Sequence, residues 1–198
     1  MFIVMHDIIN LDVIYMLETE RLILRKFKEE DIDDFFEYAQ MEEVGPYCGW
    51  ATIKERDKAI ERLNRMISID NYFAIVLKES SKVIGSVVLS NLDKKRYPNI
   101  EIDDYSKELG FALSKNYWGN GYMKEALMEV MKYAFDTLNI SSLYALYASP
   151  NVKSGMLLEK IGFKTVGEIP DRIWLDGSKM SLIQMKMSSE VYFNINRL

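Results

Sequence analysis

The residues best suited to chemistry in this 198-residue sequence lie in the segment SKNYWGNGY, which spans Ser114–Tyr122. Gly119 and Gly121 stand where a polar loop is predicted to turn into a helix. A helix start leaves several backbone N–H groups without intrahelical partners, at the positive end of the helix dipole. Because glycine also allows close approach to the backbone, the pattern is typical of a phosphate-binding turn. A glycine-rich helix start that binds no ligand fits the same residues equally well.

Two familiar phosphate loops do not fit this segment. A Walker loop carries Lys-Ser/Thr directly after its last glycine, whereas Gly121 is followed by Tyr122 and Met123. A dinucleotide-binding fingerprint needs a third glycine or alanine at the position of Lys124, after an early strand–helix–strand unit, and this sequence offers neither.

The elements that position this loop follow from hydrophobic periodicity. A strand is predicted over Glu108–Leu113, a helix with one continuous apolar stripe over Tyr122–Leu138, and a buried strand over Leu143–Ala148. This strand–helix–strand order predicts parallel pairing. Five further strands are predicted, at Arg21–Phe27, Tyr72–Leu77, Val83–Leu89, Phe163–Ile169 and Lys179–Met187, with a turn at Asp176-Gly177 between the last two. Three further helices are predicted: one at Glu30–Gln40, one that follows Thr52, and one from Asn151 to Gly162. Thr52 and Glu55 are expected to form a capping box at the start of the second of these helices. They form one α/β domain with a mixed sheet.

Composition excludes several classes of protein. Hydrophobic residues make up 48% and charged residues 28%, as in a globular protein with its own core. The net charge of −5 disfavours a general nucleic-acid binder. Cys48 is the single cysteine and His6 the single histidine, so neither an internal disulfide nor a Cys/His zinc site is expected. The sequence contains no apolar stretch long enough to span a membrane, and we expect a cytoplasmic protein.

Two segments, ELGFALSKNYWGNGYMKEAL and NVKSGMLLEKIGF, together resemble the GNAT superfamily of acyl-CoA-dependent N-acetyltransferases. The resemblance covers about Glu18–Met187 and is closest to the branch of ribosomal-protein N-terminal acetyltransferases. It implies a single-domain acyl-CoA N-acyltransferase fold, with a mixed central sheet, flanking helices and splayed parallel strands at the cofactor site. It also implies acetyl-CoA as cosubstrate and no metal.

The resemblance assigns cofactor-binding residues. The family's loop pattern, Gln/Arg-x-x-Gly-x-Gly/Ala, falls on Asn116–Gly121 with Asn116 in place of the long side chain, and its backbone amides hold the CoA diphosphate. Main-chain groups of Phe111–Leu113 would face the thioester and stabilise its oxyanion. Asn151 would bind the pantetheine arm, and a plain N-cap role is compatible with this. The implied set is Phe111, Ala112, Leu113, Asn116, Trp118, Gly119, Asn120, Gly121, Tyr122, Asn151 and Ser154.

The reaction implied is direct attack of an amine on the thioester. An amine is mostly protonated at neutral pH, so a base must take a proton, and the resemblance points to Glu108, acting directly or through water. A solvent-exposed or ion-paired glutamate is the other interpretation. Many relatives carry a tyrosine as general acid where this sequence has Leu158. Tyr105 and Ser149 are weaker catalytic candidates.

Several other residues receive plainer interpretations. Cys48 has no histidine partner and is not expected to be a nucleophile. Tyr47 and Trp50 either line the acceptor pocket or simply pack. Arg21 and Arg25 alternate on the first strand and are expected to make surface ion pairs.

Two function classes remain open from the sequence. One is an N-acetyltransferase acting on a primary amine, either a protein N-terminus or a small molecule. The other is a non-catalytic acyl-CoA binder or sensor on the same fold, suggested by Leu158. Neither nucleic acid nor membrane is an expected partner, and the protein is expected to be a monomer or a homodimer.

The first fifteen residues, MFIVMHDIINLDVIY, stand apart from this pattern. They are apolar but interrupted by Asp7 and Asp12, and they lack the basic start and small-residue cleavage site of a signal peptide. We interpret residues 1–15 as an N-terminal extension and residues 16–198 as the N-acetyltransferase domain. The extension either packs on the domain as a short strand or helix, or is not native to it.

Deleting Met1–Tyr15 should leave folding and acetyl-CoA binding intact, because the resemblance begins only at about Glu18. Soluble yield, thermal unfolding and acetyl-CoA titration of the truncated chain test this. Loss of soluble protein on truncation would show that the segment contributes to the domain.

Overall fold

The computed structural model describes residues 16–98, 100–174 and 177–196. Residues 1–15, and with them His6, lie outside this range, as does Asp176 of the predicted turn. The strands are β1 (Leu17–Glu18), β2 (Leu22–Lys26), β3 (Tyr72–Leu77), β4 (Val83–Asn91), β5 (Ser106–Leu113), β6 (Ser142–Ala148), β7 (Lys164–Ile173) and β8 (Lys179–Ser188). The helices are α1 (Ile32–Ala39), α2 (Arg56–Ser68), α3 (Tyr122–Lys132), α4 (Val152–Lys160) and α5 (Ser189–Asn196).

All eight strands join one sheet in the order β1-β2-β3-β4-β5-β6-β8-β7. Neighbours pair antiparallel except β5 and β6, which pair parallel and are connected through α3. A parallel pair needs a crossover between its strands, and the apolar stripe of α3 supplies one that covers the sheet. The mixed sheet and the parallel pairing predicted from the sequence are therefore confirmed.

Helices cover both faces of the sheet, and each face has its own core. On one face α3, α4 and α5 bury residues such as Leu127, Leu158 and Tyr192 against Leu24 and Ile75. On the other face α1 and α2 bury aromatic and aliphatic side chains against smaller residues of the sheet, among them Phe35, Tyr38, Leu63, Ala74 and Ala112. Burial on both faces explains why the central strands read as nearly continuous apolar runs.

The structure corrects two helix boundaries and adds two elements that were not predicted. Helix α2 begins at Arg56 with Glu55 as its N-cap and no side-chain capping bond, so the capping box predicted for Thr52 and Glu55 was wrong. The helix predicted over Tyr122–Leu138 ends as α-helix at Lys132 and continues as a π-helical turn, Tyr133–Thr137. Strand β1 and helix α5 were not predicted, since a two-residue strand and an eight-residue helix directly after β8 give too short a periodic signal.

The seam between β4 and β5 depends on Gly85, which pairs with Leu113. A Cβ added at Gly85 would lie 2.4 Å from the carbonyl oxygen of Ala112, a backbone atom that cannot move aside. Gly85→Ala should therefore destabilise the fold by about 1–3 kcal/mol. Urea unfolding measures this against Ser90→Ala on the same strand, and equal stability of the two variants would contradict it.

Candidate functional site

The site begins where two strands of the sheet separate. Strands β5 and β6 pair only over Ser106–Glu108 and Ser142–Tyr144, although β5 runs on to Leu113 and β6 to Ala148. Beyond that point β5 stays paired with β4 and β6 with β8. The two halves of the sheet thus diverge into a wedge. The splayed parallel strands predicted from the sequence are present.

A cleft of about 310 Å³ occupies this wedge and continues to the start of α3. Nine of the predicted site residues line it: Phe111, Ala112, Leu113, Trp118, Gly119, Gly121, Tyr122, Asn151 and Ser154. Others that the sequence did not single out as cofactor-binding residues also line it, including Val44, Tyr47, Cys48, Tyr117, Lys124, Lys153, Leu157 and Lys160. The structure therefore brings most of the predicted set to one cavity.

The loop before α3 has the backbone expected of an anion site. Gly119 and Gly121 adopt φ values of 79° and 80°, a left-handed region that disfavours residues with a side chain. Gly121 is the N-cap of α3, so the first N–H groups of the helix have no intrahelical acceptors. A Cβ at Gly119 would meet nothing within 4 Å, which leaves room for a ligand against the backbone.

Three lysines add positive charge to the same cleft. Lys124 lies in the first turn of α3, and Lys153 and Lys160 lie at opposite ends of α4. The Nζ of Lys153 lies 4.7 Å from the centre of the Trp118 ring. Together with the helix start, these cations suit a ligand with several phosphate groups, such as CoA. No pattern in the sequence predicted these three lysines, because only the tertiary structure brings α3 and α4 to one cleft.

The position of Asn151 is compatible with both predicted roles, that of a helix N-cap and that of a ligand for the pantetheine arm. It is the N-cap of α4, and its side-chain oxygen accepts a hydrogen bond from the N–H of Ser154 at 3.3 Å. Both residues also line the cleft. The capping role is therefore present, while binding of the pantetheine arm stays a prediction.

Asn116 and Asn120 do not line the cleft. Both are exposed, and the Asn120 amide donates to the carbonyls of Tyr117 and Trp118. The backbone carbonyl of Asn120 accepts a hydrogen bond from the guanidinium of Arg21 at 3.1 Å. Any contribution of Asn116 to cofactor binding stays a prediction without a contact to support it.

Glu108 lies at the vertex of the wedge, as the last β5 residue paired with β6, opposite Tyr144. It is buried, and one carboxylate oxygen accepts a hydrogen bond from Nη1 of Arg96 at 2.6 Å. Burial raises the pKa of Glu108, and the Arg96 cation and the Tyr97 hydroxyl partly counter this rise. Its carboxylate is therefore more basic than that of an ordinary glutamate, although it does not line the cleft itself.

Neither of the two weaker catalytic candidates, Tyr105 and Ser149, lines the cleft. Tyr105 is 70% exposed, and Ser149 is exposed as well. Leu158 belongs to α4 and is fully buried in the core, so this position contributes packing only. Cys48 donates to the carbonyl of Phe111 at 3.5 Å, and burial raises the pKa of its thiol to about 12. It is therefore a neutral thiol at physiological pH, not a nucleophile.

Trp50 and Tyr47, predicted either to line the acceptor pocket or to pack, lie in different environments. Tyr47 lines the cleft, whereas Trp50 is buried between α1 and α2 beneath the guanidinium of Arg62.

Across the described residues, every helix falls short of the length and apolar character that a membrane crossing requires. Nor do these residues bring together three or more His, Cys, Asp or Glu side chains in a group that could hold a metal ion.

Comparison with known proteins gives this arrangement a family. The sequence profile described as "Acetyltransferase (GNAT) domain" matches residues 21–164. The uncharacterized N-acetyltransferase p20 of Bacillus licheniformis is 29% identical over 178 residues, which cover 87% of this chain and 94% of that protein. The ribosomal protein uS5-alanine N-acetyltransferase of Escherichia coli (strain K12) is 28% identical over 106 residues, covering 54% of this chain and 51% of that protein.

A solved structure shares the fold. Spermidine N-acetyltransferase from Vibrio cholerae, crystallised in complex with CoA and spermine, superposes with a TM-score of 0.70 at 22% identity and covers 89% of this chain and 100% of that chain. The family profile spans most of this chain, including the wedge, the glycine loop and the start of α4. The protein therefore belongs to the GNAT family of acetyltransferases, and it is an acetyl-CoA-dependent N-acetyltransferase.

Proposed function

We propose that this protein transfers the acetyl group of acetyl-CoA to a primary amine, either a protein N-terminus or a small molecule, by direct attack on the thioester. The wedge between β5 and β6 carries the proposal, because its cleft reaches a helix start suited to anions and a buried carboxylate, Glu108, lies at the vertex of the same wedge. In this arrangement the diphosphate binds at Gly119–Tyr122, and the pantetheine arm follows the wedge toward Glu108.

Three lysines make one part of the cleft positively charged. Lys124, Lys153 and Lys160 line the half of the cleft formed by α3 and α4, where the phosphate groups of CoA would bind. Val44 and Tyr47 line another part of the cleft together with Glu43, whose carboxylate is ion-paired with Lys115. This polarity favours a cofactor whose charged end lies at α3 and whose acyl end lies in the wedge.

Glu108 serves as the base in this proposal. Charged and titratable groups that act on it are Arg96, Tyr97 and Asp93, all from the loop between β4 and β5. Arg96 stabilises the carboxylate, whereas burial and Asp93 favour its protonated form. A carboxylate with a raised pKa takes a proton from an ammonium ion more readily than an exposed glutamate does, which is the property a general base requires.

A panel of amine acceptors tests the proposed reaction by release of free CoA. The panel should include a peptide with N-terminal alanine and spermidine, the classes of acceptor named for two relatives. Turnover with one class and not the other identifies the acceptor. Tight acetyl-CoA binding without CoA release for any amine would favour the non-catalytic acyl-CoA binder.

Gly119→Val should lower acetyl-CoA affinity by at least about tenfold, because its branched side chain occupies the space left for the diphosphate. Gly49→Val is a matched control, since Gly49 also has a φ of 80° and open space around its Cβ position. Both variants carry the same backbone strain, and calorimetric titration compares their affinities. Equal affinities in the two variants would contradict the placement of the diphosphate.

Glu108→Gln should lower kcat by about 10²–10⁴-fold, the usual contribution of a general base, with acetyl-CoA affinity nearly unchanged. The base works only when deprotonated, so kcat/KM of the wild type should fall as the pH drops through the raised pKa of Glu108. That acidic limb should be missing in Glu108→Gln. Glu168→Gln, the same change on the exposed face of β7, should leave the rate unchanged.

Arg96→Met provides the companion measurement. Removing the Arg96 cation should raise the pKa of Glu108 further, so the acidic limb should move to higher pH. A rate loss below about threefold in Glu108→Gln, or an unmoved limb in Arg96→Met, would argue that water or the free-amine fraction of the acceptor handles the proton.

A further inference from the structure

Arg21 lies in the turn between β1 and β2 and makes several polar contacts with α3 and the loop before it. Its Nε donates to Oε2 of Glu125 at 2.7 Å, and its Nη2 lies 2.6 Å from the same oxygen. The other oxygen of Glu125 accepts hydrogen bonds from the backbone N–H of Arg21 at 2.9 Å and from the hydroxyl of Thr19 at 2.5 Å. The turn between β1 and β2 is thereby tied to the first turn of α3, about a hundred residues away in the sequence.

The same guanidinium also holds the glycine loop. Its Nη1 donates to the carbonyl of Asn120 at 3.1 Å, and it lies 4.3 Å from the centre of the Tyr122 ring. The peptide between Asn120 and Gly121 is planar and trans, so its N–H points opposite to its carbonyl. Fixing the carbonyl on Arg21 therefore turns the N–H of Gly121 away from Arg21, and Gly121 lines the cleft.

The charges of Arg21 and Glu125 act together with this geometry. Glu125 lies in the first turn of α3, close to the helix start that would receive the diphosphate, and its side chain is only 19% exposed. Burial alone would raise the pKa of Glu125, but hydrogen bonds from Thr19 and Arg21 hold it below its usual value. The carboxylate is thus ionised, and Arg21 supplies the cation that cancels it. Without Arg21, an unpaired anion would stand beside the phosphate site.

We propose that Arg21 is a positioning residue for the diphosphate of CoA. It orients the Asn120–Gly121 peptide and neutralises Glu125, so that the loop presents N–H groups and net positive potential to the phosphates. The inference rests on the proposed placement of the diphosphate at this loop. It also predicts that Arg21 has no effect on the pantetheine or acetyl portion of the cosubstrate.

The test compares Arg21→Met with Arg25→Met. Arg25 lies in β2, four residues after Arg21, and makes a comparable two-pronged ion pair with Asp31, away from the loop. Arg21→Met should weaken CoA binding by at least about tenfold in calorimetric titration, and Arg25→Met by less than about twofold. With S-acetylpantetheine, which has no phosphate, kcat/KM should be the same in wild type and both variants. A purely structural role would impair both cosubstrates alike.

The charge component is tested by Arg21→Met combined with Glu125→Gln. Removing the unpaired carboxylate should restore part of the lost CoA affinity, whereas a double variant no tighter than Arg21→Met overturns neutralisation of Glu125. If Arg21→Met does not fold, Arg21→Gln takes its place in both comparisons, because glutamine is polar but also removes the cation that pairs with Glu125.

The outcomes separate this inference from the proposed function. A wild-type protein that binds no CoA refutes the proposed cofactor placement. A wild type that binds CoA, with Arg21 variants that bind it as tightly, overturns the role of Arg21 and leaves the proposed function in place.

Discussion

The loss of pairing between β5 and β6 after Glu108 and Tyr144 is the constraint on which the site depends. Each strand stays bonded to its outer neighbour, so the sheet opens without leaving either half unsupported. The opening removes β6 as a partner from the inner edge of β5 over Phe111–Leu113, and these residues line the cleft instead. The carbonyls of Phe111 and Leu113 accept hydrogen bonds from Cys48 and Trp118 there.

The start of α3 completes the wedge at its other end. Two glycines with positive φ turn the chain into the helix. The N–H groups of its first turn have no intrahelical acceptors, and such groups stabilise an anion bound at a helix N-terminus. Because such a loop has few contacts of its own, its geometry depends on what holds it from outside. Arg21 supplies that support through the Asn120 carbonyl, and Trp118 supplies more through its indole N–H, which donates to the Leu113 carbonyl at 2.9 Å.

The buried carboxylate at the vertex shows a balance of opposing effects. Desolvation raises the pKa of Glu108, and the hydrogen bond from Arg96 limits the rise. The backbone of Arg96 is held in turn by β8, because its carbonyl accepts a hydrogen bond from the Gln184 side chain at 2.9 Å. The loop between β4 and β5 is thus connected to the far side of the wedge, so the two halves of the sheet jointly set the environment of one carboxylate.

The sequence alone determined the local elements and the family. Alternating and helical apolar patterns predicted the mixed sheet, and the segment around Gly119 and Gly121 predicted the loop, since both signals lie within short stretches of chain. Only the tertiary structure decided that Lys153 reaches the cleft, that Arg96 pairs with Glu108 and that Arg21, expected to make an ordinary surface ion pair, supports the glycine loop through Asn120 and Glu125. Such contacts join residues far apart in the chain, where periodicity carries no information about which side chains meet.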